Sequence, residues 1–193
     1  MISGAILAGG YSKRFGSNKA FVEIKGKPLI ERIIDIFIPI FDDIFIVSNS
    51  SEEYEFTGYP VVNDVLPIKG PLVGIYSALH ASKYKYTFIC ACDMPFISPA
   101  LIKYMIKKKE GYDIIVPGLK EGQLEPLHAI YSKSCIPFIK DKISIHEKKI
   151  ISFYRDLSVY ILKKDEIIPY DPQLLSFYNI NTDEDFRKSQ QFL

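Results

Sequence analysis

Long apolar runs are missing from this sequence. Nothing approaches the roughly 20 consecutive residues that cross a bilayer as a helix, and the opening MISGAILAGG lacks the basic leading region of a secretory signal. An excess of one charge is missing too. With 24 Lys and Arg against 23 Asp and Glu the net charge is +1, so there is no global basic surface to grip nucleic acid, and any basic site must be local. Cysteine is scarce and odd in number, and Cys90, Cys92 and Cys135 are spaced unlike a zinc ligand set. Cys90 and Cys92 fall in an apolar strand pattern and read as buried, reduced thiols, which makes the cytosol the expected compartment. Repeats, low-complexity tracts and linkers are also absent. One domain over residues 1–193 is expected, long enough to bury a core.

What is present alternates between strand-like and helix-like patterns. Residues 2–8, ISGAILA, predict a short buried strand, and Leu29, Ile30, Ile33, Ile34 and Phe37 recur at helical spacing between Pro28, as first helical residue, and Pro39. Residues 42–49 and 59–64 predict two more strands. Residues 70–82 predict a helix opened by Gly70 and Pro71, with Leu72, Ile75 and Leu79 on one face. The most continuously apolar stretch, 86–97, predicts a central strand. Ser98 and Pro99 are an N-cap and first-turn proline for a helix that ends in lysines and Gly111. Strands at 113–118 and 126–133, a helical stretch over 134–153, a strand at 158–164 and a last helix from Thr182, with Asp185 completing a capping box, finish the pattern. Such alternation predicts an α/β fold of the Rossmann-like three-layer kind: a mixed, mostly parallel sheet with helices on both faces.

In folds of this kind ligands sit at the carboxyl ends of the strands. The first such end runs straight into L-A-G-G-Y-S-K-R-F-G-S-N-K, residues 7–19. Glycines let backbone N–H groups close around an anion, and Lys13, Arg14 and Lys19 add charge-assisted contacts suited to phosphate. No G-x-x-x-x-G-K-[ST] and no G-x-G-x-x-G can be laid on this loop, which excludes the two commonest phosphate-binding fingerprints. On physical grounds alone it is a polyphosphate cradle or a glycine-rich turn with solvated cations. No Ser–His–Asp or Cys–His set stands out. His80 and His146 lie on helical stretches as surface or packing residues, and His128 lies in a strand.

The loop, with E-I-K-G-K-P-L-I after it, resembles the signature of NTP-dependent nucleotidyltransferases. N-D-x(5)-G-P-L-x-G at 63–74, C-D-M-P-F-I at 92–97, E-P-L-H-A-I-Y at 125–131 and N-I-N-T-D-E-D at 179–185 extend the likeness over nearly the whole chain. In that order they resemble the molybdenum cofactor guanylyltransferases. Two positions depart from the family pattern: Phe15 stands where Met is commoner, and Asn18 where Asp is frequent.

The resemblance implies transfer of GMP from GTP to the terminal phosphate of molybdopterin, with release of pyrophosphate. It implies Arg14, Lys19 and Asp93 as catalytic residues, with Asp93 the protein ligand of Mg²⁺. GTP would meet Leu7, Ala8, Gly9, Gly10, Lys19, Asn49, Asp64 and Asp93. Molybdopterin would meet Asn179 and Asn181, and more loosely the 123–128 stretch. Partners would be these two substrates and, transiently, molybdenum insertion proteins or target apoenzymes, with no nucleic acid and no membrane. Asn49 and Asp64 are equally turn formers, and Asn181 precedes a helix and suits a cap. Three other readings stay open here: a CTP-dependent cytidylyltransferase, a silent nucleotide-binding module, and, from D-E-D at 183–185, a metal-dependent glycosyltransferase.

Overall fold

The computed structural model describes residues 1–9, 19–120 and 122–192. Its first strand is Ser3–Leu7 (β1). A small hairpin of Glu23–Ile24 (β2) and Lys27–Pro28 (β3) leads into the helix Leu29–Phe37 (α1). Next come Asp43–Val47 (β4), Val61–Val62 (β5), the helix Pro71–Ala81 (α2) and Tyr86–Ala91 (β6). The helix Pro99–Lys108 (α3) precedes three strands, Ile114–Lys120 (β7), Gln123–Leu124 (β8) and His128–Ser132 (β9). The chain finishes with Ile136–Ser144 (α4), Val159–Lys163 (β10), the single turn Lys164–Ile167 (α5) and Asp183–Ser189 (α6).

The main sheet runs β10-β7-β9-β6-β1-β4-β5, with β8 folded onto β7. Pairs β4–β5, β1–β4, β1–β6 and β7–β10 are parallel, whereas β9 lies antiparallel between β6 and β7. Side chains alternate across the strands as the two-residue period demands. Ile6, Ile46, Phe88, Ile115 and Ile130 pack on one face against α1, α3 and α5. Ala5, Phe45, Ile89, Val116, Ala129 and Tyr131 pack on the other against α2, α4 and the 150–156 turns. The close fit of α1 depends on Gly4, where a β-carbon would stand 2.7 Å from the Phe41 ring and 2.8 Å from that of Phe37. A third cluster, Ile24, Leu29 and Ile180 with Phe96 and Phe186 against it, ties the β2–β3 hairpin to the last segment of the chain.

Proline, serine and glycine punctuation placed most boundaries well. Ser98 caps α3 by accepting from the Leu101 N–H at 3.3 Å, and Thr182 and Asp185 form the expected capping box of α6. Five expectations need correction. Pro28 is not the first helical residue: pairing with Glu23 holds its ψ at 146°, so it precedes α1. Burial on α2 is not confined to one face, since α4 covers a second side and every residue from Leu72 to Leu79 is buried. The central strand stops at Ala91, because the Cys92 N–H crosses to the Leu7 carbonyl and the chain turns. Cys92 is therefore half-buried beyond the strand, although it, Cys90 and Cys135 are all free thiols.

The fifth correction is the largest. The helix expected over 134–153 ends at Ser144. The Glu147 N–H reaches the Lys142 carbonyl, the His146 N–H reaches that of Ile143, and His146 itself takes φ 57°. This is a Schellman ending with histidine, not glycine, in the left-handed position. His146 thus lies beyond a helix rather than on one.

Candidate functional site

Strands β1, β4, β5 and β6 all point their carboxyl ends to one edge, and there the chain gathers its unusual polar groups. Lys19 begins a helical turn, Lys19–Phe21, packed below by buried Ala20. Its ammonium lies 3.4 Å from Asp93 Oδ2 and also donates to Asn181 Oδ1. These three residues come from the loop after β1, the turn after β6 and the segment before α6. The Asp93 carbonyl accepts from the Ile180 N–H at 2.9 Å, which stitches that last segment to the turn. Beneath it Ile180 is fully buried against Ile24 and Leu29.

Asp93 is about four-fifths buried. Its Oδ1 has no hydrogen-bond partner among the described residues. Burial pushes its carboxyl above the ordinary carboxylate range, and the Lys19 ammonium pulls part of that back. An orphaned buried carboxylate oxygen is a strong acceptor in want of a cation or donor. Among the described residues no group of three His, Cys, Asp or Glu forms a metal cage. A single carboxylate suits Mg²⁺, which keeps waters and phosphate oxygens as its other ligands.

A second polar group sits over β4 and β5. Asn49 Nδ2 donates to Asp64 Oδ2 at 2.8 Å, and Asn49 Oδ1 accepts from the Asp64 N–H at 2.9 Å. Ser77 of α2 adds its hydroxyl, 3.3 Å from Asp64 Oδ1, and accepts from the Val65 N–H at 3.0 Å. Between the two groups run Leu7, Ala8 and Gly9. The Leu7 carbonyl accepts from the Cys92 N–H at 3.0 Å, and the Ala8 N–H donates to the Val47 carbonyl at 2.9 Å. The Ala8 carbonyl accepts from the Tyr54 hydroxyl at 2.8 Å. Each carbonyl keeps a second lone pair, while Gly9 is exposed. Gly74 lets α2 lie close to this strand end, its missing β-carbon position being 3.2 Å from Leu7 Cδ1.

Of the residues expected at a site, Gly10 and Arg14 lie outside the described residues. Lys19, Asp93 and Asn181 meet, and Asn49 and Asp64 meet separately. Asn179 lies two residues before Asn181, its Nδ2 donating to the Phe177 carbonyl at 3.3 Å. The 123–128 stretch lies across β6 from the Asn49 group, where the Leu127 carbonyl accepts from the Ala91 N–H at 3.2 Å. Within it Glu125 is half-buried, and burial pushes its carboxyl up. His128 is fully buried, edge-on to Phe88 and Phe177, and neither ring nitrogen has a partner among the described residues. Sequence reasoning missed Ser77 and Tyr54, and nothing in their local pattern signals a role, because each reaches the edge from an element whose packing sets its direction.

Comparison with known proteins gives this arrangement a family. Residues 4–158 match the family model described as "MobA-like NTP transferase domain". The "Probable molybdenum cofactor guanylyltransferase" of Natranaerobius thermophilus is 40% identical, over 100% of this chain and 96% of its own. The "Molybdenum cofactor guanylyltransferase" of Desulfosudis oleivorans is 38% identical, over 98% and 94%. Among solved structures, molybdopterin-guanine dinucleotide biosynthesis protein A from Archaeoglobus fulgidus superposes with a TM-score of 0.86 at 26% identity, over 98% of this chain and 97% of that one. With that sheet, that edge and these relatives, the chain belongs to the MobA-like NTP transferase family.

Proposed function

We propose that this chain transfers GMP from GTP to the terminal phosphate of molybdopterin, acting as one nucleotidyltransferase domain in the cytoplasm. One observation carries the reading: a lysine, a half-satisfied carboxylate and an amide meet at the carboxyl edge of a MobA-like fold. The names of the relatives favour guanylyl over cytidylyl transfer.

A phosphate monoester, with its second pKa near ~6, is mostly ionised at neutral pH and needs no strong base. One of its oxygens bonds to the α-phosphorus of GTP. The bond from that phosphorus to the β-bridging oxygen breaks, and the electron pair leaves with pyrophosphate. The protein's task is therefore placement and charge neutralisation. Lys19 and Arg14 contact the triphosphate oxygens. Asp93, through its unmatched Oδ1, would hold Mg²⁺, which when bound offsets the negative charge on those oxygens. Guanine offers N1–H and N2–H donors, which suit Asp64 and the free lone pairs of Leu7 and Ala8, with Asn49 and Gly9 alongside. On the acceptor side Asn179 and Asn181 supply neutral amide groups to the pterin. The product passes to molybdenum insertion proteins or apoenzymes by transient contact.

Calorimetric titration with GTP, CTP, ATP and UTP in the presence of Mg²⁺, run beside an assay of pyrophosphate release from GTP and molybdopterin, tests this. GTP should be preferred, and Asp93→Ala should weaken both its binding and turnover. A preference for CTP, or no triphosphate binding even with acceptor present, would overturn it.

A further inference from the structure

Asn181 is expected at the acceptor, yet its side-chain oxygen accepts a hydrogen bond from Lys19 Nζ. Its backbone is not loose. The Asn181 N–H donates to Asp185 Oδ2 at 3.0 Å, and the same oxygen accepts the Thr182 N–H and the Thr182 hydroxyl, each at 2.9 Å. Asp185 in turn is the third residue of α6, and its own N–H donates to Thr182 Oγ1 at 3.1 Å. Chain connectivity, buried Ile180 and the Ile180 N–H bond to the Asp93 carbonyl hold the other side of Asn181. Thus a chain of contacts leads from a helix cap to the lysine: Asp185 to the Asn181 backbone, and the Asn181 amide to Lys19 Nζ.

We propose that the α6 cap is a positioning device for Lys19, with Asn181 as its contact and Asp185 as its anchor. It rests on the reading that Lys19 meets the triphosphate. A lysine ammonium has three protons on a flexible four-carbon stem, and ordering that stem is costly. Asp93 and Asn181 occupy two of the three directions and leave the third for phosphate. Asn181 does so without cancelling charge, because its amide is neutral; a carboxylate there would compete with phosphate. Among the described residues the amide's Nδ2 has no hydrogen-bond acceptor, which leaves it able to donate to the acceptor substrate. Nucleotide and acceptor halves of the site therefore share one side chain, and Asp185 serves both the helix and the lysine.

The test separates positioning from stability. Asn181→Ala removes the contact to Lys19 but leaves the cap; Thr182→Ala weakens the cap but leaves the amide oxygen; Asp185→Asn keeps an acceptor oxygen for the Asn181 N–H. Two readouts are taken on each full-length variant. One is the rate of Lys19 acetylation by limiting acetic anhydride without nucleotide, followed by peptide mass spectrometry. The other is Mg-GTP affinity without acceptor.

In Asn181→Ala, Lys19 should react several-fold faster and GTP should bind roughly tenfold more weakly, as loss of a charge-assisted hydrogen bond implies, with the melting temperature unchanged. Thr182→Ala should lower the melting temperature with a smaller effect on both readouts, and Asp185→Asn should stay near the parent. In a Lys19→Ala background, Asn181→Ala should have no further effect on GTP. Equal Lys19 reactivity in parent and Asn181→Ala, or undiminished GTP affinity in that variant, overturns the device. If the parent itself binds no triphosphate, the guanylyltransferase reading fails, and the acetylation rates still decide the positioning question.

Discussion

Asp93 gives one carboxylate oxygen to Lys19 and keeps the other buried and, among the described residues, unmatched. Its folded pKa is raised, so the sign is that of an acid that prefers to be protonated in the native state. Stability is then lost as pH climbs from the unfolded value near ~3.9 through the raised folded one. Asp93→Asn should therefore hold or raise the melting temperature at pH 7 while turnover drops about 10²–10³-fold, the trade expected of a functional residue. A lower melting temperature with intact turnover would make Asp93 a structural residue instead. His128 behaves in the opposite sense. Burial pushes its imidazole down to about 3. Above the unfolded value of about 6.5 the native state bears no cost, and below it stability falls by about 1.4 kcal/mol per pH unit until the folded value is reached. Urea midpoints between pH 7 and pH 4.5 should show that slope, and His128→Phe should flatten it; an unaltered slope would assign the acid sensitivity to other groups. The residues of the site differ in how readable they were. Lys19 and Asp93 stand in motifs whose chemistry can be argued locally, whereas Tyr54 bonds the Ala8 carbonyl from 46 residues away and Ser77 reaches Asp64 from a buried helix, contacts that only the packing of those elements creates.

Elements that begin and end in proline, serine or glycine could be read from the chain, as α3 and α2 illustrate, because those residues act through their own backbone geometry. The end of α4 could not. Its left-handed terminal position holds His146 at φ 57°, and a histidine there gives no warning. That choice has a measurable cost. A non-glycine residue in this region is strained by about 1 kcal/mol or somewhat more, partly offset by the extra freedom glycine has when unfolded. His146→Gly should raise stability by roughly 0.5–1 kcal/mol, seen as a higher urea midpoint at unchanged slope. A loss of stability would mean that the imidazole contributes something beyond its backbone angle. Short elements also escaped notice. The strands β2, β3 and β8 have two residues each, too few to display a period, and they form because a hairpin partner is adjacent.

Across the molecule, the layer order was legible because strands and helices alternate, but the antiparallel insertion of β9 between β6 and β7 was not. Nothing in HAIYS states its direction; it follows from the register that sets Cys90 opposite His128. The family match ends at residue 158, yet the fold continues past it. Leu162, Ile167 and Ile180 are all fully buried, and β10 covers the outer edge of β7. A chain stopped after Ser158 should accordingly lose its cooperative thermal transition and bind a hydrophobic dye. Retention of a sharp transition would show that residues 4–158 fold alone.

The three residues that meet at the carboxyl edge are Lys19, Asp93 and Asn181, and a ribosome makes them in that order. A nascent chain can lay down β1 and the lysine early, and the aspartate halfway, but the amide that accepts from the lysine arrives only after β10 has been made. Assembly of this corner thus waits until Asn181 has been made. A chain not yet extended to Asn181 has its lysine without its anchor, and the corner is complete only once that residue has emerged.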